Sequence, residues 1–213
     1  DEFPVTHNAH ITGTGKYLYT CNAGNASKGR IGQFDKKGNR TGDYKMEIDM
    51  RSIFYCKADK NIYVSSYDQN IYRITDLENG IFQDINFSVD LEPQAAVALG
   101  HKGKKLYHFS NGRLEIYSFP EGNLLESFQG IKSGSEFSTG SQTVAVSKKH
   151  FYTFDGDKQE IYAYNLDGEL VDTFKITNGS YGFSLSYANK YIFVSDDGDY
   201  DTGTWYGYKL GLK

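Results

Sequence analysis

The stretch that decides the fold is Ile161-Tyr162-Ala163-Tyr164-Asn165-Leu166-Asp167-Gly168-Glu169-Leu170-Val171-Asp172-Thr173-Phe174. Its two runs, 161–164 and 170–174, are short and rich in aromatic and β-branched residues, which is typical of β-strands. Asp167-Gly168 lies between them, and a glycine at that place accepts the positive φ of a tight hairpin turn. The stretch therefore predicts two antiparallel strands joined by a short turn.

Similar units recur along the whole chain, each built around an anchoring aromatic residue. The spacings between successive anchors are 44, 44, 45 and 41 residues. A short apolar run precedes each anchor, and a third run follows it. A glycine turn and a fourth run complete four of the units. Four strands per 44 residues is the period of a β-propeller blade. The anchors are Tyr19, Tyr63, Tyr107, Tyr152 and Phe193.

The two chain ends predict how the ring closes. The fifth unit has three strand-like runs and no fourth, whereas 2–6 precedes the first unit and belongs to no unit of its own. We expect 2–6 to supply the outer strand of the last blade, because closure removes two exposed sheet edges. This interpretation makes 1–213 one all-β domain, a five-bladed propeller; a fragment of a six- or seven-bladed ring is the alternative. The predicted blades are 10–49, 50–91, 92–134, 135–179, and 180–213 plus 2–6.

Composition agrees with an all-β domain and excludes several other classes. Aromatic residues make up 15% of the chain, and there are 23 glycines in 213 residues, whereas Met occurs twice. This balance argues against a helical bundle, a coiled coil or a disordered chain. The formal net charge of −4 argues against a nucleic-acid partner, and no apolar run is long enough to span a membrane.

The repeats resemble the small propeller units of the YVTN and tachylectin-like kinds. The residues that carry the resemblance best are 161–170, and the likeness extends over nearly the whole chain. The Trp-Asp dipeptide of the common intracellular propeller is absent. The resemblance implies a fold, and no functional residue is transferred with it.

Three features predict a secretory route. The chain begins Asp1-Glu2-Phe3-Pro4 without Met, as a mature form does after removal of a leader; a truncated chain is the alternative. Cys21 and Cys56 lie near strand ends of neighbouring units, which suits one disulfide, and two buried thiols are the alternative. Four glycosylation sequons also occur. Their asparagines are Asn25, Asn39, Asn86 and Asn178.

The loops that join one blade to the next are the predicted binding surface, since they gather around the axis at one face. A large polar residue lies four or five positions before the end of several first strands, and such a ring can hydrogen-bond a small polar ligand. The alternative is that these side chains only solvate the mouth of the channel. The predicted ligand-binding residues are Arg51, Gln94, Gln142 and Tyr181.

Alternating carboxylates give one candidate metal site. Asp197, Asp199 and Asp201 offer hard oxygen ligands on a short turn, a chemistry that suits Ca²⁺. The alternative is a solvated acidic turn, because Asp155-Gly156-Asp157 lies at the equivalent turn of the preceding unit. No other cofactor is expected.

The function predicted from the sequence is that of a secreted binding module for a carbohydrate or another small polar ligand, and no catalytic residue is assigned. One alternative is a glycoside hydrolase that uses axial carboxylates, and another is a protein-interaction scaffold. No particular oligomeric state is predicted. The candidate carboxylates of the hydrolase alternative are Asp49, Asp90, Glu92 and Glu136.

Overall fold

The computed structural model describes residues 7–134, 143–196 and 203–212. These residues form five small antiparallel sheets arranged as a five-bladed β-propeller, as the repeats predict. Four sheets have four strands in simple sequential order, and the fifth has three strands within the described residues. The segment 2–6, predicted to close the ring as an outer strand, lies outside the described residues, so that role stays a prediction.

Each blade begins with its innermost strand, and the next strands follow outwards. Blade one contains β1 (His7–Gly13), β2 (Leu18–Ala23), β3 (Arg30–Phe34) and β4 (Arg40–Lys45), and blade two contains β5 (Met50–Cys56), β6 (Asn61–Ser66), β7 (Ile71–Asp76) and β8 (Ile81–Asp84). Blade three contains β9 (Val97–Leu99), β10 (Lys105–Ser110), β11 (Arg113–Ser118) and β12 (Leu124–Phe128), and blade four contains β13 (Ala145–Val146), β14 (His150–Asp155), β15 (Glu160–Asn165) and β16 (Leu170–Lys175). Blade five contains β17 (Ser186–Ala188), β18 (Tyr191–Ser195) and β19 (Trp205–Tyr208). Two single-turn 3₁₀ helices span Ala26–Lys28 and His101–Gly103.

The five innermost strands form a closed ring around the axis. Each of them contacts the innermost strands of both neighbouring blades, and β1 contacts β17. Hydrogen bonds join blades one and five directly. The Ile11 N–H donates to Ser186 Oγ at 3.1 Å, and Asn8 Nδ2 donates to the Asp196 carbonyl at 3.3 Å. First and last blades are therefore neighbours in the ring.

Hydrophobic side chains are buried between blades rather than in one central core. Four clusters lie between consecutive blades, from blades one and two to blades four and five. Successive residues of an inner strand enter different clusters, because side chains alternate across a sheet. Ile53 packs towards blade one and Phe54 towards blade three. Both faces of an inner strand are thus buried, which explains the continuous apolar run Ala95–Leu99.

The strand ends differ from the sequence prediction where polar side chains bond to the backbone. The repeat pattern predicts the first strand of the fifth unit at 183–185 and the outer strand of the second unit at 84–87. The first strand lies instead at Ser186–Ala188, after Ser184, whose Oγ accepts the Ser195 N–H at 2.8 Å. The outer strand spans Ile81–Asp84. There the Asp84 carboxylate accepts the Asn86 N–H at 2.7 Å, and Asn86 has a φ of 53°. Such side-chain bonds compete with strand pairing.

The predicted Cys21–Cys56 disulfide is absent from the structure. Both cysteines are free and buried. They lie in different hydrophobic clusters, Cys21 between blades one and two and Cys56 between blades two and three. Because the two residues pack on opposite sides of blade two, closeness along the repeat does not bring their sulfur atoms together. The alternative of two buried thiols is the one that the structure contains.

Within the described ranges, no helix has the length and apolar character that crossing a bilayer requires.

Candidate functional site

Arg51, the first predicted ligand-binding residue, is held by protein groups at the face of the between-blade loops. Its side chain is 9% exposed and pairs with Asp49, with Nη1 2.8 Å from Oδ1 and Nη2 3.4 Å from Oδ2. Nε donates to the Pro93 carbonyl at 3.0 Å, and the guanidinium lies over the Tyr67 ring at 5.0 Å. These contacts join blade two to the loop that enters blade three. The Arg51 side chain is therefore held in place by contacts within the protein.

The other predicted ligand-binding residues are distributed around that face. Gln94 and Tyr181 are half-buried, and Tyr181 stacks on His7 with ring centroids 5.8 Å apart. Gln142 lies outside the described residues. None of the three described positions lines the axial cavity identified below, which opens at the opposite face. Their predicted convergence on a ligand stays a prediction.

The carboxylates singled out in the sequence differ in burial and in hydrogen-bond partners. Asp49 is occupied by Arg51, and its Oδ1 also accepts the Gly24 N–H at 2.7 Å. Asp90 and Glu92 are exposed. Asp155 is buried against Lys158, with Oδ2 2.8 Å from Nζ. Although burial raises the pKa of Asp155, hydrogen bonds from Lys158 hold it below its usual value.

The candidate calcium ligands Asp197, Asp199 and Asp201 lie outside the described residues, as does Glu136 of the hydrolase alternative. Among the residues that are described, no group of three His, Cys, Asp or Glu side chains is arranged to hold a metal ion. The calcium hypothesis therefore stays a prediction for 197–201.

All four sequon asparagines are exposed. Asn25 caps the first 3₁₀ helix, and Asn39 lies in the turn between β3 and β4. Asn86 follows β8, and Asn178 precedes β17. Exposure on loops is compatible with glycan attachment, and use of these sites stays a prediction.

A cavity of about 690 Å³ lies on the propeller axis. It opens between the loops that join the innermost strand of each blade to the second strand. We call these five segments, 14–17, 57–60, 100–104, 147–149 and 189–190, the inner loops. Every blade contributes an inner-strand residue and an inner-loop residue to the lining. The volume is in the range of pockets that hold small molecules, about 300–1,000 Å³.

The deeper wall of the cavity combines apolar and hydrogen-bonding groups. Ile53, Ala98 and Val146 contribute buried apolar surface from three inner strands. Tyr55 and Tyr187 are half-buried aromatic residues of the lining. Such walls, apolar with a few polar groups, are characteristic of small-molecule sites.

His10 is a polar residue of this wall, and one of its nitrogens has no hydrogen-bond partner within the described residues. The side chain is 4% exposed, and Nδ1 lies 2.8 Å from the Ile53 carbonyl oxygen. Nδ1 must carry the proton, since a carbonyl only accepts. Nε2 is therefore a buried acceptor without a partner. Burial lowers the pKa of His10 to about 4, although the bond to Ile53 opposes the shift, so the ring is neutral at pH 7.

Thr12 adds a hydroxyl to the same wall. It is 8% exposed, and its Oγ1 accepts the Tyr55 N–H at 3.1 Å. This bond uses an oxygen lone pair and leaves the hydroxyl hydrogen for another acceptor. His10 and Thr12, two residues apart on β1, thus provide one acceptor and one donor in the lining of the cavity.

The mouth of the cavity is basic. Four lysines on the inner loops of blades two to five belong to its lining, and we call them the lysine ring: Lys57, Lys102, Lys148 and Lys190. All four are exposed. None of the described lining residues is an aspartate or a glutamate.

A second, smaller cavity of about 270 Å³ adjoins the first between blades four and five. Tyr187, Lys148 and Lys190 line both cavities. Its apolar wall includes Leu210 and Leu212. Two members of the lysine ring, Lys148 and Lys190, therefore line both cavities.

A signal for this face was present in the sequence. A lysine lies three residues before every anchoring aromatic, at Lys16, Lys60, Lys104, Lys149 and Lys190. This period marks the inner loops as basic in all five blades. Only Lys190 of this set lines the axial cavity, so the period indicates the face and not the members of the lysine ring.

Comparisons with known proteins support the architecture. No family model matches the sequence. No curated protein is similar enough in sequence to count as a match. A structural match to Myxococcus xanthus glutaminyl cyclase has a TM-score of 0.64 at 9% identity, and covers 97% of this chain and 91% of that one. Virginiamycin B lyase from Staphylococcus aureus matches with a TM-score of 0.49 at 13% identity, covering 97% and 71%.

Likeness at such low identity indicates a shared fold alone. In all, 1074 solved chains match, so the architecture is common to many proteins. These propeller neighbours agree with the propeller-type repeats recognised in the sequence. The chain is a five-bladed β-propeller with a cavity on its axis.

Proposed function

We propose that this protein is a binding module that takes a small polar ligand, a carbohydrate or another hydroxyl-bearing molecule, in the axial cavity. The observation that carries the proposal is the axial cavity of about 690 Å³, whose wall includes His10, a residue with a buried and unpartnered Nε2. A buried acceptor without a partner is costly, and a ligand hydroxyl that donates to it removes that cost.

The backbone framework of the cavity is also rigid. Its deeper wall consists of inner strands that are paired with a second strand and packed against both neighbouring blades. Fixed donors and acceptors lose little entropy when a ligand binds, which favours affinity. Tyr55 and Tyr187 offer the aromatic surface on which the apolar face of a sugar ring packs.

A binding role is favoured over the hydrolase alternative by the composition of the lining. Glycoside hydrolysis uses two carboxyl groups on either side of the scissile bond. The described lining of the axial cavity contains no carboxylate. Asp49, one of the candidate carboxylates, is engaged by Arg51.

The proposal includes secretion, for which the four exposed sequons are the supporting feature. Expression of the chain behind a signal peptide in eukaryotic cells tests whether the sequons are used. We expect a mass increase that an amide-cleaving glycosidase removes. A secreted protein that carries no glycan would contradict the use of the sequons.

Blocking the mouth of the cavity tests the ligand site. Ala58 is exposed and belongs to the lining, so Ala58→Trp introduces bulk there without disturbing a buried position. Ala26→Trp places the same side chain on an exposed 3₁₀ helix outside the lining and is the matched control. Ligands are found on an array of short neutral and charged oligosaccharides, and their affinities are measured by titration calorimetry.

We expect Ala58→Trp to weaken binding at least tenfold and Ala26→Trp to leave it unchanged. Equal affinity in both variants would refute the axial site. Gln94→Ala and Tyr181→Ala form a further arm of the experiment. If these two substitutions weaken binding while Ala58→Trp does not, the ligand lies at the between-blade face.

A further inference from the structure

The inner loops carry a charge opposite in sign to that of the whole protein. Their 18 residues include eight lysines and one aspartate, Asp59, which is a net charge of +7, whereas the chain as a whole has −4. Positive charge is therefore concentrated at one end of the axis. A cleft lined by one sign of charge focuses the field and attracts ions of the opposite sign.

The ammonium groups of the lysine ring are available to a ligand. Within the described part of the chain, no ion pair or hydrogen bond engages them. Lys158 and Lys105, by comparison, form ion pairs with Asp155 and Glu126. Exposed lysines elsewhere, such as Lys36 and Lys175, also have no ion pair among the described residues, so the lysine ring differs from them by its place around the cavity.

Two members of the ring occupy a backbone conformation that disfavours lysine. Lys102 has a φ of 66° and Lys190 a φ of 73°, in the left-handed region where glycine is the least strained residue. Strained backbone of this kind clusters at functional sites. Lysine therefore stands at two positions of the mouth where backbone geometry alone favours glycine.

We infer that the axial cavity selects a compact polyanion, a small hydroxyl-bearing scaffold with several sulfate, phosphate or carboxylate groups, and that the lysine ring binds those groups. This inference rests on the proposed function and specifies its ligand class. Anionic groups at the mouth meet four ammonium donors, and no described carboxylate of the lining repels them. A hydroxyl of the scaffold donates to His10 Nε2 at the deeper wall.

Matched pairs of charged and neutral probes test the inference by calorimetry at low salt. Sucrose octasulfate is paired with sucrose, and inositol hexakisphosphate with inositol; citrate is the carboxylate probe. We expect each anion that fits to bind at least tenfold more tightly than its neutral partner. The three anions distinguish sulfate, phosphate and carboxylate as the preferred group.

Charge removal provides the matched variants. Replacing the whole lysine ring by glutamine should weaken anion binding more than tenfold, since each exposed pair contributes roughly two- to five-fold. The control variant makes the same change at four exposed lysines outside the lining and should keep wild-type affinity. Its substitutions are Lys36→Gln, Lys37→Gln, Lys175→Gln and Lys209→Gln.

The outcomes separate this inference from the function on which it rests. If sucrose or inositol binds as tightly as its charged partner, the polyanion inference is wrong and the axial site remains. If both quadruple variants lose affinity equally, general surface charge and not the lysine ring is responsible, and the inference fails. If only long DNA or heparin binds, with affinity that rises with length, a compact ligand is refuted. If no probe binds and Ala58→Trp has no effect on any array ligand, both proposals are wrong.

Discussion

Removal of the Arg51 side chain should destabilise the propeller without affecting ligand binding. Arg51→Ala breaks the pair with Asp49 and the bond to the Pro93 carbonyl, and it uncovers the Tyr67 ring. Loss of one partner of a buried ion pair typically costs about 3–5 kcal/mol. The Asp49 side chain is 21% exposed and retains the Gly24 N–H, so we expect the lower end, about 3 kcal/mol.

Thermal unfolding at pH 7 measures this loss. For a protein of this size, 1 kcal/mol corresponds to about 2–4 °C in Tm, so Arg51→Ala should lower Tm by about 6–12 °C. Arg113→Ala is the control. Its ion pair with Glu115 is as short, at 2.6 Å, but the Arg113 side chain is 47% exposed. That substitution should cost less than about 1 kcal/mol.

Equal shifts in Tm for the two variants would refute the structural role of Arg51. A double-mutant cycle with Asp49→Ala isolates the pair itself, and we expect a coupling energy above about 1 kcal/mol. Ligand affinity is measured on the same variant. If Arg51→Ala abolishes binding while Tm is unchanged, Arg51 is a ligand-binding residue, as the sequence predicts.

Three further predictions concern buried positions. The pKa of His10 is lowered to about 4, against about 6.5 in the unfolded chain, so the free energy of unfolding should be largest above pH 6.5 and fall by up to about 3 kcal/mol between pH 6.5 and 4. The fall should be shallower in His10→Asn. Parallel pH profiles of Tm for the variant and the wild type would contradict the assignment. Cys21 and Cys56 should not react with a thiol reagent in the native protein, and both should react after denaturation without reductant, whereas an absence of thiols would mean a disulfide. Gly103→Ala should lower Tm, because the φ of Gly103 is +72° and the new Cβ would lie 2.7 Å from Cys56 Sγ. Adding Cys56→Ala to this variant should restore part of the lost Tm. An unchanged Tm in Gly103→Ala would show that the contact is relieved easily.

The order of the strands could be predicted because each repeat contains the same pattern of short strand-like runs separated by turns. The third strand-like run of the fifth unit, 205–208, coincides with β19, and Gly168 of the predicted hairpin turn has a φ of +86°. Errors at strand ends came from individual side chains such as Ser184 and Asp84, which accept hydrogen bonds from nearby backbone N–H groups. Local competition of this kind is not visible in hydrophobic periodicity.

The candidate site was harder to predict than the fold. The sequence predicts a binding surface at the between-blade loops because these loops are longer and more polar. The described cavity opens instead among the inner loops, which have two to five residues. The sequence predicts Arg51 as a ligand-binding residue, and its pair with Asp49 became visible only in the packed structure; ligand binding by Arg51 stays a prediction. Lys57, Lys102 and Lys148 do not share one repeat position, so their common place in the lining depends on the path of each loop.

The five inner loops make the cavity mouth a surface with separable parts. Each loop belongs to a different blade, has at most five residues and begins and ends in paired strands. A change at an exposed position of one loop therefore alters about one fifth of the mouth, whereas Gly103 packs against Cys56 of the neighbouring blade and has to be kept. Ligand preference in this architecture can diverge one blade at a time, and a library that varies 14–17, 57–60, 147–149, 189–190 and the exposed positions of 100–104 independently would sample new specificities on one scaffold.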